Sequence, residues 1–104
     1  MTTREPVELT HATFAPHVGS TFRVHADASE VELTLVEVSG LRSSPRAEVF
    51  SLEFHGPVDN PLPQGEYRFE HPDVGDFALF IVPVGRDVDA MQYEALFNRV
   101  LPRP

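Results

Sequence analysis

Apolar and polar residues alternate along several short stretches of this chain, and this two-residue period is the strongest constraint on its fold. A strand places successive side chains on opposite faces, so such a stretch has one apolar and one polar face. Turn-forming residues separate the stretches roughly every 8 to 15 residues, a spacing typical of short strands in a sandwich or barrel. The clearest alternation sets Phe50, Leu52 and Phe54 against Ser51, Glu53 and His55.

The pattern predicts an all-β protein: a small antiparallel barrel or sandwich of about six strands with a short N-terminal helical turn. Short connections favour antiparallel neighbours, because a parallel crossover needs a dozen or more residues. A chain of 104 residues suits one domain. We therefore expect a single domain over residues 1–104, with residues 1–8 as a flexible N-terminal tail. The predicted strands cover residues 21–26, 31–38, 47–55, 66–70, 77–84 and 91–98.

Two of these strands are irregular. The alternation slips by one residue at Val36, which predicts a β-bulge or a strand bent around a small barrel. Residues 77–84 are apolar throughout, which indicates a central strand covered on both faces. Pro83 cannot donate to a ladder, so it is expected at the end of that strand or at a bulge.

The last stretch, residues 91–100, leaves two structures open. Met91, Ala95, Leu96 and Val100 would form the apolar stripe of a helix, whereas the two-residue period indicates a strand. We favour the strand, because the two-residue period matches more cleanly.

A helical turn is predicted before the first strand. Thr13 is a plausible N-cap, and Pro16 is tolerated in the first turn because its missing N–H has no helical partner there. Gly19 is expected to end this helical turn just beyond Val18. The side chains expected to be buried are Leu9, Phe14 and Val18.

The inward positions of the alternation define the expected core. A slip of one residue in the register of a strand would turn all of its inward side chains to solvent. An error in register is therefore the main risk to this prediction of the core. The residues predicted to be mostly buried are Phe22, Val24, Leu33, Leu35, Phe50, Leu52, Phe54, Tyr67, Phe69, Phe77, Leu79, Ile81, Tyr93 and Phe97.

Charge and composition exclude several classes of function. The net charge is −8 and the eight basic residues, all Arg, are dispersed, which disfavours nucleic acid and acidic membranes as partners. The chain has no cysteine, which excludes disulfides, thiolate ligands and a cysteine nucleophile. No apolar run approaches 18 residues, and the first residues lack the apolar core of a signal peptide, so we expect a cytoplasmic protein.

No motif predicts catalysis, a cofactor or a metal. The chain lacks a G-x-S-x-G elbow, an S-x-x-K motif and a glycine-rich phosphate loop. Its five histidines are dispersed, although His25 and His55 would converge if their strands were neighbours, and His71 before Pro72 is expected to shape a turn. We expect no catalytic residue, no cofactor and no stoichiometric zinc or calcium.

The proline-rich stretch between Gly56 and Gly65 is the candidate contact surface. Its prolines stiffen the loop, which lowers the entropy lost on binding, and an adjacent sheet edge would offer unpaired backbone groups to a partner. The candidate contact residues are Pro57, Asp59, Asn60, Pro61, Pro63 and Gln64.

Six segments of the chain carry a family resemblance. They are Leu-Thr-His-Ala-Thr-Phe-Ala-Pro-His-Val-Gly (9–19), Phe-Ser-Leu-Glu-Phe-His-Gly-Pro (50–57), Leu-Pro-Gln-Gly-Glu-Tyr (62–67), His-Pro (71–72), Leu-Phe-Ile-Val-Pro-Val-Gly (79–85) and Tyr-Glu-Ala-Leu-Phe-Asn (93–98). These segments resemble a family of small bacterial domains of unknown function. The resemblance implies a stand-alone domain with no catalytic residues to transfer, and an association with phage-tail-like proteins.

Three functions follow as hypotheses. The first is a non-enzymatic interaction or structural accessory module of a phage-tail-like or surface assembly, with a protein partner or a second copy. The second is a β-barrel that binds a small ligand in its mouth, and the third is a hydrolase-like enzyme.

Overall fold

Six antiparallel strands form a closed barrel in the computed structural model, which describes residues 9–27, 29–43 and 47–100. The predicted tail, residues 1–8, lies outside this range. A helix α1 (His11–Phe14) and a 3-10 turn η1 (Ala15–His17) come first. The strands are β1 (Thr21–Ala26), β2 (Ser29–Ser43), β3 (Ala47–Gly56), β4 (Gly65–His71), β5 (Gly75–Arg86) and β6 (Met91–Val100).

The strand order around the barrel is β1-β2-β3-β6-β5-β4, with every neighbouring pair antiparallel. The all-β prediction is thus confirmed, and the barrel alternative is the one observed. Residues 91–100 form a strand, as favoured. Closure also corrects the expectation of a free sheet edge beside the contact loop, since each described strand has a neighbour on both sides.

The two predicted irregularities are observed, one around Val36 and the other at Pro83. The β2–β3 register shifts between Leu35 and Glu37, around Val36, and the β5–β6 register shifts between Pro83 and Gly85. A second shift, between Ser39 and Arg42, includes Gly40 at φ 54°. The Ser39–Gly40 pair therefore bends strand β2, which continues to Ser43, beyond the predicted end at residue 38.

Strand β5 is covered on one face only, which corrects the prediction of a strand buried on both. Phe77, Leu79 and Ile81 point into the barrel, whereas Phe80 is 50% exposed. In a closed single-layer barrel only the inner face can be covered by the wall itself. An apolar outer face on β5 therefore remains in contact with solvent.

Helix α1 starts one turn earlier than predicted, with Thr10 as its N-cap in place of Thr13. The Thr10 side chain accepts from the Thr13 N–H at 3.1 Å, and the Thr13 hydroxyl accepts from the Thr10 N–H at 3.2 Å. This is a reciprocal capping box, and Thr13 occupies its N3 position. Phe14 is fully buried and Leu9 partly buried, but Val18 is 50% exposed, contrary to expectation.

One apolar cluster fills the barrel. All but two of the residues predicted to be buried belong to it; Tyr67 and Phe97 pack against it from partly buried positions. Phe14 of α1 and Leu62 of the β3–β4 loop belong to the same cluster. Because α1 precedes the start of β1 and Leu62 follows the end of β3, these two side chains close opposite ends of the barrel.

None of the helices in the described ranges has the length and apolar character that crossing a membrane requires.

Candidate functional site

The β3–β4 loop, residues 57–64, lies at one end of the barrel beside the β1–β2 and β5–β6 turns. This end is called the loop end, and residues 57–64 the contact loop. All six predicted contact residues are exposed: Pro57, Asp59, Asn60, Pro61, Pro63 and Gln64. Leu62, between two exposed prolines, is only 4% exposed. The loop thus turns Leu62 into the core and presents the six candidate contact residues to solvent, while Val58 is partly buried.

Two tyrosine hydroxyls hold the backbone of the contact loop. The Leu62 N–H donates to the Tyr93 hydroxyl at 2.8 Å, and the Tyr67 hydroxyl donates to the Pro63 carbonyl at 2.6 Å. Tyr93 is fully buried on β6, and Tyr67 is partly buried near the start of β4. Burial, followed by the charge of Asp27, raises the pKa of Tyr67 above its usual value, so this hydroxyl keeps its proton and remains a donor. Sequence reasoning missed both contacts, because they join residues distant in the chain.

Replacing Tyr93 with phenylalanine tests this hold on the loop. The change removes one oxygen atom and leaves the buried Leu62 N–H without its partner. We expect a loss of about 1–3 kcal/mol in the free energy of unfolding, measured in urea. Tyr67→Phe removes a more exposed hydroxyl and should cost less. Equal, negligible losses in the two variants would contradict the proposed hold.

Acidic side chains surround the contact loop. A cleft of about 270 Å³ is shared by Pro57, Glu32 and Asp89, so the β5–β6 turn lies against the start of the loop. Asp87 accepts from the Asp89 and Ala90 N–H groups at 2.8 and 2.9 Å, and these bonds lower the pKa of its carboxyl. The loop end therefore carries negative charge at neutral pH.

At the other end of the barrel, Ser20 and His71 form a serine–histidine pair of the kind found in catalytic sites. The Ser20 Oγ lies 3.1 Å from His71 Nε2. His71 Nδ1 accepts from the N–H groups of Asp73 and Val74 at 3.1 and 3.3 Å. Nδ1 therefore uses its lone pair, and the proton of the neutral ring lies on Nε2.

This tautomer makes His71 a donor to Ser20, whereas a general base must accept the serine proton. The Ser20 hydroxyl in turn donates to the His17 carbonyl at 2.7 Å. The polar side-chain atoms of Ser20 and His71 thus all take part in hydrogen bonds that connect η1 to the β4–β5 turn. His71 shapes this turn, as predicted from its position before Pro72, and its burial against Phe22 was not predicted.

His17, His71 and Asp73 are close enough to be considered as metal ligands, since one ligand atom from each lies within 4.8 Å of the others. In the tautomer above, however, neither nitrogen of His71 offers a free lone pair, which a metal requires. The geometry favours a structural role for the cluster. The absence of a metal stays a prediction, and elemental analysis of untagged protein checks it.

His71 should make stability depend on pH. Burial, followed by the nearby charge of His17, lowers the pKa of His71 below its usual 6.5, while Asp73 opposes this shift. The unfolded chain then binds more protons than the folded one between the two pKa values. Stability is therefore full above about pH 6.5 and is lost as the pH falls below it.

The matched variant is His71→Asn, whose amide oxygen can replace Nδ1 as the acceptor. We expect the urea midpoint of the wild type to decrease when the pH is lowered from about 7 to about 5. The urea midpoint of the variant should decrease less over the same range. The same slope in both proteins would show that His71 is not the group responsible.

The largest cleft described, about 580 Å³, lies on the outside of the barrel across β1, β2 and β4. Two of its charged side chains, Arg23 and Glu70, are paired with residues outside its lining. Arg23 lies 3.5 Å from Glu30, and Glu70 contacts both His25 and Arg68. The bond from His25 is the main cause that lowers the pKa of Glu70. His25 and His55 do not converge, contrary to the possibility raised above, because β2 separates their strands.

The comparison with known families decides what this chain is related to. A family model described as a domain of unknown function, DUF6916, matches residues 9–97. The chain belongs to the DUF6916 family. The matched range contains α1, the contact loop and almost all of β6, so the family domain is the whole barrel with both closed ends. No curated protein and no solved structure matches the chain.

Proposed function

We propose that this DUF6916 domain is a non-enzymatic interaction module that binds a protein partner through the contact loop. The observation that carries the proposal is the combination of exposure and order in this loop. Its six candidate residues face solvent, while Leu62 and the hydroxyls of Tyr93 and Tyr67 hold its backbone. A loop that is already ordered loses less entropy when a partner binds.

Charge narrows the class of partner. Asp59 on the loop and Asp89 beside it lie in a chain of net charge −8. Such a surface favours a partner with basic side chains and disfavours nucleic acid and acidic membranes. A second copy docking through the same end would bring these carboxylates together, so we favour a different protein as the partner.

The other two hypotheses have less support. A ligand-binding barrel needs an open mouth, and here Leu62 and Phe14 belong to the cluster that fills the barrel from end to end. A hydrolase would need His71 to accept the Ser20 proton, and the hydrogen bonds at Nδ1 favour the opposite tautomer.

We also propose a setting for this contact. The module serves as an accessory or structural part of a phage-tail-like or surface assembly, as the family resemblance suggested, and it meets its partner in the cytoplasm. Fractionation of native cells tests the compartment, and copurification with the assembly tests the setting.

The absence of native cysteine allows a site-specific test of the contact loop. Asn60→Cys introduces one thiol on the loop, and Asp73→Cys introduces one at the opposite end of the barrel; both positions are exposed. Each variant carries a thiol-linked photo-crosslinker into native lysate. We expect one discrete protein adduct from the Asn60 position and none from the Asp73 position.

Charge reversal provides the matched control. Asp59→Lys should abolish the adduct at Asn60, whereas Asp73→Lys, with the same change in charge, should leave it intact. The same adducts from both labelled positions would contradict the proposal, as would substrate turnover in a broad hydrolase screen that is lost on Ser20→Ala.

A further inference from the structure

A second surface runs along the outer face of strand β5, on the side of the barrel. The side chains that point inward from this strand fill the core, and the residues between them are apolar as well. Phe80 is 50% exposed, and Val84, at the bulge, is 55% exposed. We call this surface the β5 stripe, and it consists of Ala78, Phe80, Val82 and Val84.

The barrel itself does not require an apolar outer face on β5. Strand β3 shows the ordinary pattern, because its outer face carries Ser51, Glu53 and His55 between core residues. An uninterrupted apolar strand is instead typical of a strand that is covered on both faces. Adjacent exposed apolar side chains mark surfaces that another molecule covers. The β5 stripe therefore indicates a binding surface for a further layer of structure.

A glutamate lies on each side of the β5 stripe. Glu66 on β4 is directly opposite Phe80, and Glu94 on β6 is directly opposite Val82. Strands β4 and β6 are the two neighbours of β5, so the two carboxylates lie on opposite sides of the stripe. Both side chains are exposed, and neither forms an ion pair with another residue of the described ranges. The apolar surface is thus bordered by negative charge.

The arginines near the β5 stripe do not cancel this charge. Arg68 is opposite Ala78, but its guanidinium lies 3.0 Å from the carboxylate of Glu70. Arg86 ends strand β5, beyond the bulge and beyond the last residue of the stripe. A partner with basic side chains on both sides of an apolar surface would therefore complement this face of the barrel.

The dimensions of the β5 stripe suit an α-helix that lies along it. Residues 78–84 span about 20 Å at about 3.3 Å per residue, which is the length of a helix of about 13 residues. Such a helix is about 10 Å across, and the neighbouring strands lie about 4.8 Å to each side of β5. An amphipathic helix carries its polar residues on both sides of its apolar face. It can therefore set apolar side chains on β5 and charged ones above β4 and β6.

We propose that the β5 stripe binds an amphipathic helix of a different protein, in which Arg or Lys residues flank the apolar face on both sides. The apolar face covers Phe80 and Val84, and the basic side chains pair with Glu66 and Glu94. A second copy of this chain is the less suitable occupant, because it would oppose the same glutamates and its described helices have only four and three residues. The stripe is separate from the contact loop, and the inference does not depend on the function proposed there.

The probe is a display library of helical peptides of about 18 residues, a length at which a helix can form in water. One face of each peptide is apolar, and the positions that flank it are random among basic, acidic and neutral residues. The wild-type protein selects binders, and Phe80→Lys removes the sequences that bind elsewhere. We expect the wild-type-specific sequences to carry Arg or Lys on both flanks. A central proline, which breaks the helix, should abolish binding of the synthetic consensus peptide.

Substitutions in the protein show which side chains the consensus peptide contacts. Phe80→Ser should weaken binding about tenfold, as for a central apolar contact. Glu66→Gln and Glu94→Gln should each weaken binding and reduce its salt dependence. Two matched controls should leave the affinity unchanged. Glu32→Gln removes an exposed carboxylate from β2, opposite β5 in the strand order, and Val18→Ser removes an apolar side chain that is also 50% exposed.

Several outcomes would overturn the inference. They are a selection without wild-type-specific sequences, consensus flanks that lack basic residues, and affinity that survives the central proline. A dimer in light scattering that Phe80→Lys dissociates would assign the β5 stripe to a second copy. Asp59→Lys on the contact loop should not affect peptide binding, so a failure of the contact-loop proposal can be recognised separately.

Discussion

Replacing Phe54 with alanine is expected to lower the free energy of unfolding by about 3–5 kcal/mol, because it opens a cavity at the centre of the barrel. Phe54 is fully buried, and its ring centroid lies 5.4 Å from that of Phe69 and 5.7 Å from that of Phe22. These rings belong to three different strands, so the movement of a single strand cannot fill the cavity. Urea melts of wild type and variant measure the loss.

Phe80 offers a matched control, since the same substitution removes the same atoms from a side chain that is 50% exposed on the outer face. We expect Phe80→Ala to cost less than about 1 kcal/mol. If Phe54→Ala proves too unstable to melt, Phe54→Leu leaves a smaller cavity and keeps the comparison measurable. Equal losses at the two phenylalanines would mean that the register of the barrel is wrong.

Local alternation was enough to predict the strands and most of the core. In β3 it assigned Phe50, Leu52 and Phe54 to the inner face, where the structure places them. A two-residue period is a property of the strand itself, so it can be seen without knowledge of the partners. The bulge around Val36 was visible for the same reason, because a bulge changes the phase of the period within one strand.

Patterns that depend on the surroundings of a strand were less informative. The uninterrupted apolar sequence of β5 indicated two covered faces, but only a second layer could cover Phe80, and a closed barrel has none there. Thr10 and Thr13 are both threonines and both suit an N-cap. Only the backbone of Thr10, extended at φ −123° and ψ 167°, identifies it as the cap.

The contact loop likewise combines features that are local in the sequence with contacts that are not. Proline content and turn residues located the contact loop within the sequence, since these properties are local. What holds the loop is not local: Leu62 reaches a hydroxyl 31 residues further along the chain. The change of partner within β5, from β4 up to Ile81 to β6 from Val82, is also invisible in the sequence, because it depends on the neighbouring strands. Packing between residues that are distant in the chain also determines the position of helix α1 at the other end of the barrel.

Helix α1 has only four residues, too few to be stable alone, so its position depends on what Phe14 contacts. The Phe14 ring closes its end of the barrel over Phe22, Phe77 and Phe97. We expect Phe14→Ala to cost about 3–5 kcal/mol in urea melts and to increase the binding of an apolar dye, because the rings beneath become accessible. Val18→Ala, at the exposed end of the same segment, should change stability by no more than about 0.5 kcal/mol. A small loss at Phe14 with unchanged dye binding would show that the barrel is closed there without the helix.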